Sequence, residues 1–513
     1  MASRAQHFIV HPAQGTLNTT AAPTLLEPGE LVVATNVEHL SEGSRRKRLG
    51  CSRYNATAIT GATTTTALAD FWRYGTSLTP TQKFVAHSGT VIYKDDGDGV
   101  WDSIKTAWGT NTSEPIICTA DDFVVFLNGV DTPQKWDQTT VSDLSTTTTA
   151  FAGMAYHLRR GFLYAEPNNP SQVLVTAASD ITLLTGGDTL SIQIDEGDGD
   201  RVMWVGPWRS RLFALKGPQF GSVHQVTGQT LSTLVREKVS SGAPCASIRS
   251  VIVTPNDIFW ASQYGFHSLL TTQKYGDTEE YFISKAIQTS FNNLSPARLN
   301  QIVGFYHPNR NIIGWTVPEN GQTQNNLVFV YNFVQGRWAI WDYDDDVASC
   351  KVMLDPQTRQ PRLYMGGYDG FVREGDQSTL TDDNGQPYSA RIRTPVYTKM
   401  PGKDELTEAS FHSVTTIFKP KGNYNADLTV TIDGRDQTAT VNLQGGGAVL
   451  GSFTLSTSVL GGGAQLQYIE TPIEDRGRSI QLQWVQGGGS QDLELFGHGI
   501  RYTPAETHAL ERS

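Results

Sequence analysis

Cysteine is scarce in this chain. Four residues in 513, Cys51, Cys118, Cys245 and Cys350, stand far apart with no C-x-x-C pair. That spacing excludes zinc-finger and dithiol redox motifs and fits free thiols in a reducing cytosol. The histidines, among them His87, His157, His224, His267, His307 and His412, are scattered, and no H-E-x-x-H occurs. A G-x-S-x-G elbow and a P-loop are also missing, so neither common nucleophile nor common phosphate chemistry has its motif. No apolar run is long enough to span a bilayer or serve as a secretory leader, so a protein that leaves the cell is expected to leave inside a particle. Basic excess is lacking too: 40 Lys and Arg face 51 Asp and Glu, a net charge of −11. A dedicated sequence-independent DNA binder carries a basic face, so that class is disfavoured. One local exception, Arg45-Arg46-Lys47-Arg48, reads as solvated structural charge with Arg48 held by the fold, rather than as a DNA contact.

What is abundant points to β-structure. Hydrophobic residues make up 38% and aromatics 10%, enough for a packed core. Glycine, at 49 residues, joins many Thr, Ser, Asn and Asp. These residues build turns, and Thr also suits strands. From residue 69 a rhythm appears. Phe84–Tyr93, Phe123–Gly129, Leu158–Tyr164, Val202–Val205 with Leu212–Leu215, Asp257–Ala261 with Gly265–Leu270, Ile312–Val317 with Leu327–Tyr331, and Leu363–Met365 with Gly370–Arg373 are short strands around turns. The spacing, roughly 40–50 residues, is that of propeller blades, and about six to eight blades fit. Gly99-Val100-Trp101-Asp102, Lys135-Trp136-Asp137 and Gly336-Arg337-Trp338 each put a Trp close to Gly or Asp after a polar turn, and these suit wedges between blades.

Three regions follow. Residues 1–68 form a polar N-terminal arm and first strands, 69–388 an irregular β-propeller-like core, and 389–513 a C-terminal antiparallel β-sandwich. Alternation at Leu428–Ile432 and Ser479–Trp484 marks strands with one buried face, and Thr407–Phe418 favours strand over helix. Glycine tracts at 445–447, 461–463 and 487–489 separate these strands. The arm lacks apolar periodicity, so it is expected to order only against a neighbouring subunit. The expected fold class is all-β.

The arm also carries a pattern: Gly15, Asn18, Pro23, Leu26, Pro28-Gly29-Glu30-Leu31, Ala34, Asn36-Val37, Gly43, Arg48 and Gly50. It resembles the N-terminal signature of the nozzle subunits of short-tailed phages, the tail tubular protein B family. Asn128-Gly129 before Lys135-Trp136-Asp137, the stretch at His157-Leu158-Arg159, Gly265 with Ser268-Leu269, Tyr331-Asn332 with Trp338, and Gly366-Gly367-Tyr368-Asp369-Gly370 extend the resemblance to residues 12–375. Leu49 stands where a proline is common. The missing catalytic motifs lead to the expectation of a non-enzymatic chain needing no cofactor or metal, and the resemblance implies a virion subunit assembled in the host cytoplasm. It implies a homo-oligomeric ring, typically of six, that passes double-stranded DNA during ejection. Its partners would be tail adaptor and fibre proteins, with host-surface contact a further option. Asn36, Gly43, Arg48 and Gly50 are its structural motif residues.

Three acidic runs are candidates for a channel wall that repels phosphate: Asp95, Asp96 and Asp98; Asp195, Asp198 and Asp200; and Asp344, Asp345 and Asp346. Carboxylates among glycines can also fold around Ca²⁺, but neither Gly-rich run has the EF-hand spacing, and solvated hairpin tips are the simpler reading. The rival functions are a receptor- or glycan-binding tail component and a glycan-processing propeller enzyme. A sialidase needs repeated S-x-D-x-G-x-T-W boxes, and the run ending at Trp101 is a poor partial match.

Overall fold

The computed structural model describes residues 4–11, 15–59, 64–74, 79–110, 112–147, 149–270, 282–377, 381–444 and 466–505. The glycine tracts at 445–447 and 461–463 lie outside these residues. The chain divides into two compact units. One holds the residues up to Cys51, Phe329–Asp344, and Gln377 onward; the other holds Ser52–Val328 and Asp345–Asp376.

The second unit is an irregular β-propeller built of seven successive antiparallel segments. The first four are complete four-stranded blades. They begin with strands Thr65–Arg73, Ile116–Ala120, Gly153–His157 and Arg201–Trp208. The fifth has three strands among the described residues, starting at Ile252–Val253. The sixth opens with the hairpin of Val303–His307 and Ile312–Val317. The seventh starts at Val347–Leu354, and its fourth strand is Gly50–Arg53, where the chain crosses into this unit. The strand earliest in sequence thus completes the last blade, and Thr65–Arg73 packs against Val347–Leu354 to close the circle.

Each blade is buried on both faces, so its middle strands read as continuous apolar runs. Phe123–Leu127, sequence FVVFL, shows the consequence of the two-residue period. Val124 and Phe126 face a cluster with Phe71, Val85, Trp108 and Trp136 of the first and second blades. Val125 and Leu127 face a cluster with Met154 and Leu163 of the third. Phe162, Tyr164, Val205 and Leu212 join the third and fourth blades, and Phe213, Leu215, Ile258 and Trp260 the fourth and fifth. Trp136 is the expected wedge, 1% exposed.

The first unit is a β-sandwich, mainly antiparallel, with Thr35 paired parallel to Ile340. One sheet orders Val37–His39, Arg45–Lys47, Glu494–Pro504, Ala409–Phe418 and Gln467–Gly477, with Gln6–Val10 also paired to Glu494–Pro504. The other includes Val33–Thr35, Ala390–Arg393, Ile480–Gln486, Asn425–Ile432 and Arg435–Asn442 in that order. Trp484, fully buried, donates its indole N–H to Thr416 Oγ1 across the two layers at 3.1 Å.

The domain boundaries differ from those expected at 68 and 388. The sandwich is discontinuous: residues up to Cys51 belong with the C-terminal strands, and the propeller starts at Ser52. The arm corrects a second expectation, because it orders against its own chain. Gln6–Val10 is a strand, and Leu17 and Leu31 are 1% exposed. Two isolated leucines carry no period, but they suffice to anchor a segment whose strand partner lies near the other end of the sequence.

Candidate functional site: a buried arginine joint and an axial cavity

The four motif residues lie in the sandwich unit, and each has a local reason for its identity. Asn36 has φ of 55°, a left-handed conformation that Asn tolerates better than most residues. Its Oδ1 accepts from Arg48 Nε at 3.0 Å and from the Asp342 N–H at 2.8 Å. Its Nδ2 donates to the Ser389 carbonyl at 3.0 Å. Gly43, at φ 87°, turns the chain between Val37–His39 and Arg45–Lys47. Gly50 lies so close to the Asp382 carbonyl that a Cβ would sit 1.9 Å from its oxygen.

Arg48 is the centre of this joint and is fully buried. Its Nη1 donates to Asp383 Oδ1 at 2.8 Å, Nη2 donates to Asp383 Oδ2, and Nη2 also reaches the Asp342 carbonyl at 2.8 Å. The guanidinium lies between the rings of Tyr343 and Tyr388, at 3.9 and 3.8 Å from their centroids. Tyr388 donates its hydroxyl to the Arg48 carbonyl. Burial works against the Arg48 charge, but the hydrogen bonds and charge of Asp383 outweigh it and hold the guanidinium above its ordinary value.

The rest of the basic run is not the solvated patch expected from sequence. Arg45 is 4% exposed and clamps the Gly29 and Gly15 carbonyls through Nη2 at 2.6 and 3.3 Å. Lys47, fully buried, donates to Gln486 Oε1 at 2.9 Å and the Gly488 carbonyl at 3.0 Å. Burial lowers the Lys47 ammonium to about 8. Arg46 pairs with Glu38 at 3.0 Å. A four-residue basic run therefore does internal structural work, because each head group has a carbonyl, amide or carboxylate waiting for it.

The acidic runs do not form one wall. Antiparallel strands put the loops after first and third strands on one propeller face and the loops after second and fourth strands on the other. Asp95–Gly99 follows the third strand of blade one, Asp195–Asp200 the fourth strand of blade three, and Asp345-Asp346 precedes blade seven. The first run is thus on the opposite face from the other two, and Asp344 belongs to the sandwich unit.

Several of these carboxylates are also occupied. Asp95 is fully buried, accepts from the N–H groups of Gly97, Asp98, Gly99 and Val100, and holds the Tyr54 hydroxyl at 2.6 Å. Asp200, 4% exposed, accepts from Gln219, Phe220 and Gly221 N–H groups. Asp96 pairs with Lys83 and Lys94, Asp195 with Arg236 and Lys238, and Asp345 with Arg373. Asp198 pairs at 2.6 Å with Lys216, whose buried ammonium also donates to the Ile194 and Asp195 carbonyls. Asp95 and Asp200 therefore leave the set of channel candidates, while Asp98 and Asp344 remain exposed. Their neighbours in sequence look equally solvated, so only the fold separates them.

A feature the sequence did not mark lies on the propeller axis. A cavity of about 270 Å³ is lined by residues of six segments, Ala69, Cys118, Met154, Trp204, Gly304 and Lys351 among them, and by Ile248, Arg249 and Val251 just before the fifth. Tyr164 and Cys350 also line it. A second cavity of about 490 Å³ adjoins it, sharing Trp204, Val251, Gly304 and Lys351. Burial pushes the Cys118 and Cys350 thiols up to about 12, so both are neutral. Lys351 is a single cation within a strand and Arg249 one in the short 3-10 turn Ile248–Ser250, a weak sequence signal.

Among the described residues, no group of three His, Cys, Asp or Glu side chains is placed to hold a metal ion, and no helix is long and apolar enough to cross a membrane. No family model and no curated protein matches the chain. Solved structures do. The chain is similar to YCF48 bound to a D1 peptide, at 10% identity and TM-score 0.38, over 64% of this chain and 98% of that one. It is similar to BamB from Moraxella catarrhalis at 12% identity and TM-score 0.36, over 57% and 82%. It is similar to an exo-β-1,3-galactanase from Phanerochaete chrysosporium at 8% identity and TM-score 0.27, over 89% and 100%.

Proposed function

We propose that this chain is a non-enzymatic structural subunit of a short phage tail, repeated as a ring around the path of the ejected genome. The observation that carries this reading is the joint at Arg48. The residues of the nozzle-like N-terminal pattern, Asn36, Gly43, Arg48 and Gly50, each meet a specific structural demand in one unit. A pattern whose residues serve architecture suits a protein whose function is its shape.

The axial cavity bears on how DNA would pass. In this reading the duplex travels in a lumen enclosed by several copies, not through the small side-chain-lined cavity of one propeller. Cyclic symmetry closes such head-to-tail contacts, and six copies is the number implied by the resemblance. Exposed carboxylates such as Asp98 and Asp344 would repel phosphate if they face that lumen, over a range of roughly 8–10 Å at physiological salt. Tail adaptor and fibre proteins are the partners in this reading, and the virion is its location.

Antibody raised against the chain and tagged with gold tests the assignment on intact particles. Label at the distal tail is expected. Label confined to a non-particle fraction of infected cells would overturn it.

A further inference from the structure

We propose that the axial cavity of the propeller unit is a binding site for a small oxyanion, of the phosphate or carboxylate type, held by Lys351 and Arg249. The argument starts from charge. The chain as a whole is acidic, at −11. The cavity is the reverse: its lining includes two cations, Arg249 and Lys351, and no Asp or Glu. Lys351 sits on Val347–Leu354, lines both adjoining cavities, and has no ion pair among the described residues.

Arg249 is held but not saturated. Its side chain is 9% exposed. Nη1 donates to the Thr66 carbonyl at 2.9 Å, which fixes one end of the guanidinium. Nη2 stands 3.9 Å from Glu114 Oε1, beyond hydrogen-bond length, and that carboxylate oxygen already accepts from Asn300 Nδ2 at 2.7 Å. Nε is buried without a partner among the described residues. Nε is closed off from the cavity, but Nη2 makes no hydrogen bond among the described residues, and an anion there offsets the cost of an unused donor. The other charged group of the adjoining cavity, Asp70, is engaged by the Trp72 indole N–H at 3.0 Å.

The remaining walls strengthen the field. Met154, Trp204, Ile248 and Val303 are apolar and both thiols are neutral, while the Thr66 and Ser349 hydroxyls are engaged by His87 Nδ1 and the Thr65 carbonyl. Low-dielectric walls around like charges focus potential onto a counter-ion. The volume, about 270 Å³, is at the small end for ligand pockets and suits an anion of a few heavy atoms rather than a nucleotide chain.

Titration of the full chain with inorganic phosphate, and separately with succinate, tests the site. Both runs use constant ionic strength set with chloride, with calorimetry and melting temperature as readouts. Saturable binding of at least one probe is expected, with a matching rise in melting temperature. Lys351→Met, at an exposed and unpaired position, should leave the fold intact and weaken binding at least about tenfold. Lys238→Met, whose partner Asp195 lies outside the cavity, should leave binding unchanged. No saturable binding of either probe, or equal binding by the Lys351→Met variant, would overturn the proposal.

Discussion

Arg48 and Asp383, separated by 335 residues in the chain, form a buried bidentate pair between two tyrosine rings. The pair ties the N-terminal segment to the strands that follow Gln377 within one unit. Removing one member leaves the other charge buried and uncompensated, which costs about 3–5 kcal/mol. Arg48→Met should lower the urea midpoint of unfolding accordingly. Arg48→Met with Asp383→Leu should recover much of the loss, since no lone charge remains. A single variant as stable as the parent would show that the pair does not hold the joint.

The arm supplies a second prediction. Leu17 is 1% exposed, and its N–H reaches the Trp338 carbonyl at 3.3 Å. Leu17→Ala should cost about 2–5 kcal/mol, as other buried leucines do. Deleting residues 1–31 should destabilise the sandwich unit in the isolated subunit, before any assembly. An isolated truncated chain with unchanged urea midpoint and proteolytic resistance would return the arm to the role of a free segment.

Arm and blades show how differently two parts of one chain can be read. The blades were legible because hairpins, glycine turns and both-face burial leave local marks, as in Phe123–Leu127. The arm was not, because its order depends on Glu494–Pro504, and sequence distance hides a strand partner. Arg45, Lys47, Asp95 and Asp200 differ from the solvated reading for one reason, whereas Arg48 is held by the fold as expected. A charged side chain looks solvated in sequence, and only the fold reveals the carbonyls, N–H groups or carboxylates that let it be buried. Asp383, the partner of Arg48, stood in a turn-rich acidic stretch with nothing to distinguish it from Asp382.

Lys216 makes a third test. Its ammonium is fully buried and reaches Ser171 Oγ, the Ile194 and Asp195 carbonyls, and Asp198. It pins the acidic loop between blades three and four. Lys216→Met should destabilise the propeller unit by about 3–5 kcal/mol and speed protease cleavage within 195–200. Cleavage at the parental rate would mean the loop is held by other contacts.

Acid should weaken the sandwich unit. Burial, aided by the nearby Arg45 charge, lowers the imidazoles of His39 and His498 from 6.5 to about 3. At pH 5 both are neutral when folded and mostly protonated when unfolded. The unfolded state then binds more protons, so stability is complete above about 6.5 and falls as pH drops toward 3. Each histidine accounts for roughly 2 kcal/mol at pH 5. Urea midpoints at pH 7.5 and 5 measure the loss, and His39→Gln should shrink the difference. Equal midpoints at the two pH values would contradict it.

The central claim is that copies of this chain enclose a DNA-wide lumen while each propeller bore stays closed to DNA. A cryo-electron microscopy reconstruction of the tail, or of the purified chain at assembly concentration, measures this most directly. The account predicts a closed ring in which outer surfaces of neighbouring copies bound a lumen wider than a duplex, with no nucleic acid in the axial cavity beside Lys351. Single unassociated copies on the particle, or duplex density threading one propeller, would contradict it.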